Sequence, residues 1–347
     1  MRPAAIPREP GETLAGQTTM VARRTRLRPA PTAAREEVPR APDTAAVAAD
    51  ALLLWCVFLA VAVAAFVTYT RLPARELYHV SHPGVDTGIR RALAFAGFPA
   101  APVAVAVAWL LVEQVTRRAA TIAAIGATVL ASSVFWPGAV DEADPDSRPI
   151  SILALVAVVA VILLTAVIAR SSGFRLARLR LREEPIRLLI FGIVFVVELP
   201  WLAALIGVSL DHVPLLNSVF LSDSFVDQPG VPGLHPAVHA GLHHGLSGAL
   251  LVTSSVWLSR RLPAIRNLAH RRLLAAYLSL LIAYGGANVL QDFWLEQIVK
   301  RDLLGWQFPY MLQPRPNWAF AGIVAGAGLI YVLLLRPGAV LDRGRKP

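Results

Sequence analysis

The chain has 347 residues, 56% of them hydrophobic and only 16% charged, with a mean hydropathy of +0.56. A soluble domain carries about a quarter charged residues, so a water-soluble globular fold is excluded, and repeated apolar runs near the roughly 20 residues that cross hydrocarbon indicate a polytopic membrane protein. The net charge of +10 is almost all arginine, with lysine only at Lys300 and Lys346; its concentration in loops and tails follows the positive-inside rule and does not indicate a nucleic-acid partner.

Residues 1–50 are rich in Ala, Pro, Arg, Thr and Glu and show no apolar periodicity. They cannot bury enough surface to offset ordering entropy, which predicts a disordered basic tail, held in the cytoplasm by Arg23, Arg24, Arg26, Arg28, Arg35 and Arg40. The first span is expected over 51–70 and holds Cys56, the single cysteine, so no disulfide can form within the chain. A polar segment with His79, His82 and Asp86 leads to a second span over 92–115, with Pro99 and Pro102 near its outer end. The third span covers 119–140 and ends in an acidic loop; the fourth covers 150–169. After the basic run RLARLRLR, a candidate amphipathic helix on anionic headgroups, the fifth span covers 188–210. A loop with a PGVPG turn signal follows. The sixth span opens at the histidine stretch and runs to Leu258, the seventh covers 273–289, and the eighth 318–335. The helix of the seventh is expected to continue as LQDFWLEQIVKR along the outer surface, with Trp294, Trp306 and Trp318 as interfacial anchors.

The pattern predicts an all-α polytopic bundle of about eight transmembrane helices over 51–336. Both termini lie inside, and 337–347 form a second basic cytoplasmic tail. The first outer segment runs against the rule, with Arg71, Arg75, Arg90 and Arg91. On this topology seven of the eight histidines fall at the outer face or in the outer half of a span, and only His270 lies inside. Acidic residues outside are partly a consequence of arginine inside; histidine has no such bias, so its asymmetry points to an extracytoplasmic site in a cell-membrane protein.

The stretch LHPAVHAGLHHGLSG holds His235, His239, His243 and His244. Read as a helix with His235 near the cap and Pro236 in the first turn, it places His239 and His243 one turn apart on one face, where two imidazoles can chelate one ion. His244 is then turned about 100° away, and Gly241, Gly245 and Gly248 allow a second helix to approach. His212, at the outer end of the fifth span, is a further candidate ligand. Interfacial histidines that only bond neighbouring helices are the competing account, since an HxxxH pair is a common coincidence.

Glu198 lies in FGIVFVVELPWLAAL, near the middle of the fifth span. A carboxylate at that depth needs a partner or a retained proton, and is a functional candidate in its own right. Counting helical rise, it lies about 18 Å below the outer end of its helix, against about 10 Å for His243. It can act as a proton acceptor or extra ligand, or hydrogen-bond Asn288 or Gln291 of the seventh span. Asp292 and Glu296 stand four apart and can add oxygen ligands or orient a histidine, although a wet acidic face at the interface is the simpler expectation.

His239 to His244 read HAGLHH, which resembles one histidine box of the membrane fatty-acid desaturase and hydroxylase families. That resemblance implies iron; those families carry several boxes at the cytoplasmic face, whereas this chain has one, expected outside. HxxxH in a multi-span chain is also similar to the zinc-dependent membrane hydrolases related to alkaline ceramidase, whose pattern includes a Ser and an Asp in earlier spans that have no counterpart here. Neither similarity assigns a family.

Three functions remain open on these residues. The first is a metal-dependent membrane enzyme: zinc or iron on His235, His239, His243, His244 or His212, Glu198 as catalytic carboxylate, and a lipid or lipid-linked substrate. The second is a haem or metal binder, or an ion or proton route; haem would need axial histidines from two helices. The third is a structural or assembly subunit.

Overall fold

Runs of Ala, Val, Leu and Ile can satisfy their backbone groups away from water only as helices. The computed structural model of the chain, which describes residues 44–71, 84–112, 118–137, 139, 148–172, 184–208, 213–214, 216–228, 231–238, 243–339 and 341, is built almost wholly of them. Helix α1 is Thr44–Arg71. Helix α2, Val85–Ala92, passes through a π-helical turn, Leu93–Gly97, into α3, Phe98–Val112. Helix α4, Arg118–Ala131, ends in a 3-10 turn and is followed by α5, Ser151–Ser172, and α6, Pro185–Leu205. A single turn, α7 (Asn217–Phe220), and an antiparallel hairpin of β1 (Phe225–Gln228) and β2 (Val231–Pro236) lead to α8, His244–Leu258. Helix α9, Leu268–Trp294, continues through a π-helical turn to Val299, and α10, Trp318–Ile330, continues to Leu335.

Each of the eight expected spans contains helix among the described residues. Among those residues, six helices are long and apolar enough to cross a membrane: Thr44–Arg71, Val85–Val112, Ser151–Ser172, Pro185–Leu205, Leu268–Val299 and Trp318–Leu335. The other two, α4 and α8, are shorter. Helix α1 begins seven residues before its expected start, because Ala46 to Asp50 are buried against the bundle; the rest of the expected N-terminal tail lies outside the described residues, as do His79, His82 and the RLARLRLR run.

Two ends of the bundle differ in chemistry. At one, Arg261 Nε donates to Asp50 Oδ2 at 2.6 Å and Arg260 Nε to Glu184 Oε1 at 3.0 Å. Arg187 donates to Ser259 Oγ and to the carbonyl of Leu341. Both ends of the described chain therefore lie at this arginine end. The opposite, histidine end carries His243, His244, the hairpin and an aromatic cluster. There the three expected anchors meet: Trp306 packs edge-on to Trp294 with centroids 5.5 Å apart and stacks on Trp318 at 6.1 Å. In the segment after α1 that was expected outside, whose arginines run against the charge rule, Arg91 is buried with its guanidinium 5.3 Å from the Tyr69 ring centre, and Arg90 pairs with Asp86. Both arginines are thus held by local partners.

Helices α8 and α9 touch backbone to backbone. A Cβ placed on Gly248 would meet the Gly285 carbonyl at 2.5 Å, and one placed on Gly285 would meet the Gly248 carbonyl at the same distance. In lipid, where apolar side chains gain little by leaving their surroundings, such close approach is what holds helices together. Neighbouring helices also mend the proline breaks. Pro99 has no N–H for the Phe95 carbonyl, and Ser247 Oγ on α8 donates to it at 3.3 Å. Separately, Tyr277 on α9 ties α9 to α3 by donating its hydroxyl to the Pro102 carbonyl at 2.9 Å.

Gly285→Val forces a side chain into the α8 backbone and should lower stability by at least about 2 kcal/mol, whereas Gly286→Val, one residue on, meets open space and should change it by under about 0.5 kcal/mol. Unfolding of the detergent-solubilised protein by titrated dodecyl sulfate measures both.

Candidate metal centre

The histidine stretch does not fold as one helix. Gly233 takes φ +94, and Val231 to Pro236 pair with Phe225 to Gln228, setting His235 opposite Val226. A run of two prolines and a left-handed glycine cannot continue a helix. Helix α8 starts only at His244, with His243 as its extended N-cap residue (φ −125, ψ 174). His243 thus stands at the mouth of the helix rather than a turn inside it, and the shared helical face expected for His239 and His243 is corrected. His239 and His212 lie outside the described residues; of His235 the backbone is placed and the side chain is not described.

What His243 and His244 face is the end of α9. The His243 side chain gives no cap bond. Asp292 supplies one from the neighbouring helix: its Oδ2 accepts the Gly245 N–H at 2.9 Å. A carboxylate there satisfies an orphan donor and meets the positive end of the α8 dipole. The fit requires glycine, because a Cβ on Gly245 would lie 2.5 Å from that same oxygen. The other oxygen, Oδ1, lies 3.6 Å from His244 Nδ1. One turn further, Glu296 Oε1 lies 3.6 Å from His243 Nδ1 and accepts from Lys300 Nζ at 2.6 Å.

Ligand atoms of His243, Asp292 and Glu296 all lie within 4.8 Å of one another. The three come from two helices held by the glycine contact two turns below. The expected wet acidic face on α9 is corrected: Asp292 is 0% and Glu296 2% exposed. The helix does not run along the surface but stays in the bundle to Val299, and its π-helical turn over Leu295–Val299 shifts Glu296 relative to Asp292.

Glu198 belongs to the same polar region. It is 2% exposed, and neither carboxylate oxygen has a hydrogen-bond partner among the described residues. The expected bonds to Asn288 or Gln291 are not made: Asn288 donates to the Tyr284 carbonyl, and Gln291 joins the Pro309 carbonyl and the Met311 N–H. Helix α6 ends at Leu205, so Glu198 lies about 10 Å below its end, nearer than expected, and within electrostatic reach of Asp292. His244 is likewise within reach of Glu296 and Lys300.

The region thus gathers three carboxylates, two imidazoles and one ammonium. Asp292 Oδ1, Glu296 Oε2 and His244 Nε2 are buried with no hydrogen-bond partner among the described residues. Buried polar atoms left unsatisfied cost about 1–3 kcal/mol each, more when charged, and the group has the ligand types that could hold a metal ion.

No family model, curated protein or solved structure matches this chain.

The Asp292, Glu296, Lys300 series at helical spacing just beyond an apolar run is a weak signal in the sequence for such a site. It resembles an ordinary solvated face until the partner helix is placed on it.

Asp292→Ala should free the Gly245 N–H and fray the first turn of α8, speeding hydrogen exchange over 244–248 about fivefold, as loss of a cap worth about 1 kcal/mol does. Asp292→Asn keeps an acceptor there and should leave exchange unchanged; mass-spectrometric exchange on the solubilised protein separates the two.

Proposed function

We propose that this chain is a multi-pass membrane metalloprotein that holds a divalent transition ion, zinc or iron, on His243, Asp292 and Glu296, and uses it in chemistry on a lipid or lipid-linked substrate. The observation that carries this reading is the convergence of those three ligand groups within 4.8 Å in a buried place with unsatisfied oxygens. One imidazole and two carboxylates suit zinc or iron better than softer-liganded metals. Three protein ligands leave a coordination position open, which is the arrangement of catalytic rather than structural zinc sites. A divalent ion bound there lowers the pKa of a water and polarises a substrate oxygen. Glu198 is the proton acceptor in this scheme. His244, His239, His235 and His212 are the further candidate ligands; His244 is best placed to orient Asp292.

A second reading, a proton route, is favoured by the ladder Glu198, Asp292, His244, Glu296. Successive members lie within electrostatic reach, and three of the four belong to membrane-spanning helices. Acidic and histidine chains in spanning helices are how proton relays are made. Haem receives less support, because the two described histidines of the cluster are neighbours on one helix end and cannot take opposite axial positions.

Dialysed against zinc, the detergent-purified chain should retain about one ion, while Asp292→Asn and Glu296→Gln should each lower zinc affinity at least tenfold. Equal zinc content in the three proteins overturns the metal reading and leaves the proton route.

We further propose that the histidine end faces away from the cytoplasm of a cell membrane. In a Cys56→Ala background, a cysteine replacing Asp223 should react with an impermeant maleimide added to intact cells, and one replacing Arg336 should react only after lysis. The reverse pattern overturns the orientation.

A further inference from the structure

Glycines on the α8–α9–α10 side of the bundle fall into two kinds. Gly245, Gly248 and Gly285 are needed where helices touch, as their virtual Cβ atoms collide with a neighbour. Gly286 on α9 and Gly322 on α10 have nothing within 4 Å of theirs. They do not serve helix packing; they line a cavity of about 570 Å³. Its floor is α8 and α9, through Val252, Ala283 and Gly286, and its two lips are α6, with Val194 and Val197, and α10, with Gly322. Gly326, one turn below Gly322, also lines the cavity, its virtual Cβ 3.9 Å from the Ala283 methyl.

The lining is aliphatic apart from an aromatic and thioether group of Phe308, Met311 and Trp318 at the histidine end. Along α10 the cavity extends from Trp318 to Ile330, about 18 Å of helix. Its volume spread over that length leaves a cross-section of about 30 Å², room for one extended alkyl chain and well short of a helix about 10–12 Å across. The walls are membrane-spanning helices, so the medium that meets the cavity is hydrocarbon.

We infer that this crevice binds one hydrocarbon chain of a bilayer lipid, entered sideways between α6 and α10, with the lipid's polar end at the level of the His243–Asp292–Glu296 cluster. The upper part of the crevice meets that cluster through α6 and α9. Glu198 follows Val197 directly and stands one helical turn above Val194, on the same side of α6, while Val289 and Leu290, also in the lining, immediately precede Gln291 and Asp292. A chain seated from Trp318 downward points toward the middle of the membrane, as a lipid tail in the leaflet of the histidine end does. As a substrate site this rests on the metal reading; as a hydrocarbon site it stands on the cavity and its glycines alone.

The test uses the full chain in nanodiscs containing a phosphatidylcholine with a diazirine near the end of one acyl chain, photolysed and mapped by mass spectrometry. Val252, buried on the crevice floor, should be labelled together with Ala283. Gly286→Leu and Gly322→Leu fill open space and should lower labelling at Val252 at least fivefold with zinc content unchanged. Labelling that follows exposure alone, strong at Ile152 and Val156 of α5 and absent at Val252, overturns the inference. So does labelling of Val252 that both leucine variants leave intact. Zinc content measured on the same samples reports separately on the metal reading.

Discussion

The contact on which the rest depends is the meeting of two peptide backbones at Gly248 and Gly285. Any side chain at either position would push α8 and α9 apart. The separation would be felt two turns higher, where the Gly245 N–H reaches an oxygen of Asp292 and where His243 approaches Glu296. In a bilayer no hydrophobic effect draws apolar helices together, so close packing and the interhelical hydrogen bonds it permits carry the association. The glycine seam is thus both the structural axis of this half of the bundle and the device that sets the distance between two rows of polar groups.

The polar groups at the two ends are managed differently. At the arginine end Asp50 and Glu184 each receive a guanidinium at hydrogen-bond distance, and Arg260 also lies over the Trp257 ring, 4.5 Å from its centre. Each carboxylate there has its own guanidinium, although Asp50 Oδ1 and Glu184 Oε2 are left unsatisfied among the described residues. At the histidine end the carboxylates of Asp292, Glu296 and Glu198 outnumber the ammonium of Lys300, and several of their oxygens are unsatisfied among the described residues. A bound cation or protons are the two ways in which such a surplus of buried carboxylates can be balanced. Both functional readings follow from this one imbalance, and they differ in what fills it.

Much of the architecture was legible from the letters. The positions of α1, α3, α5, α6, α9 and α10 follow from apolar runs of spanning length, because a membrane leaves the backbone no alternative to the helix. Glu198 and the histidine stretch stood out for the same reason, as polar groups where polar groups are expensive. The beginning of α8 was misplaced by eight residues. HxxxH spacing suggested a helix, while Pro232, Gly233 and Pro236 carried the contrary local signal, and the hairpin partner that exploits them lies earlier in the chain. Asp292 and Glu296 rank first as a wet face and only second as site groups, because charged residues four apart beyond a span usually face water. Their burial arises from α8 and from the π-helical turn over Leu295–Val299, neither of which has a signature in the local sequence.

Composition and periodicity alone thus established a helical membrane protein, basic in its loops and tails, and singled out its histidine stretch. Those properties depend on each residue's own solvation and on neighbours within a turn or two, which a linear string records. Which carboxylates meet which imidazoles, which glycines touch and which stand open, and where α6 and α10 leave room for a chain came only with the packed helices. Such contacts join residues tens of positions apart through the close approach of surfaces, and an approach of that kind is a property of pairs of helices that no single segment contains.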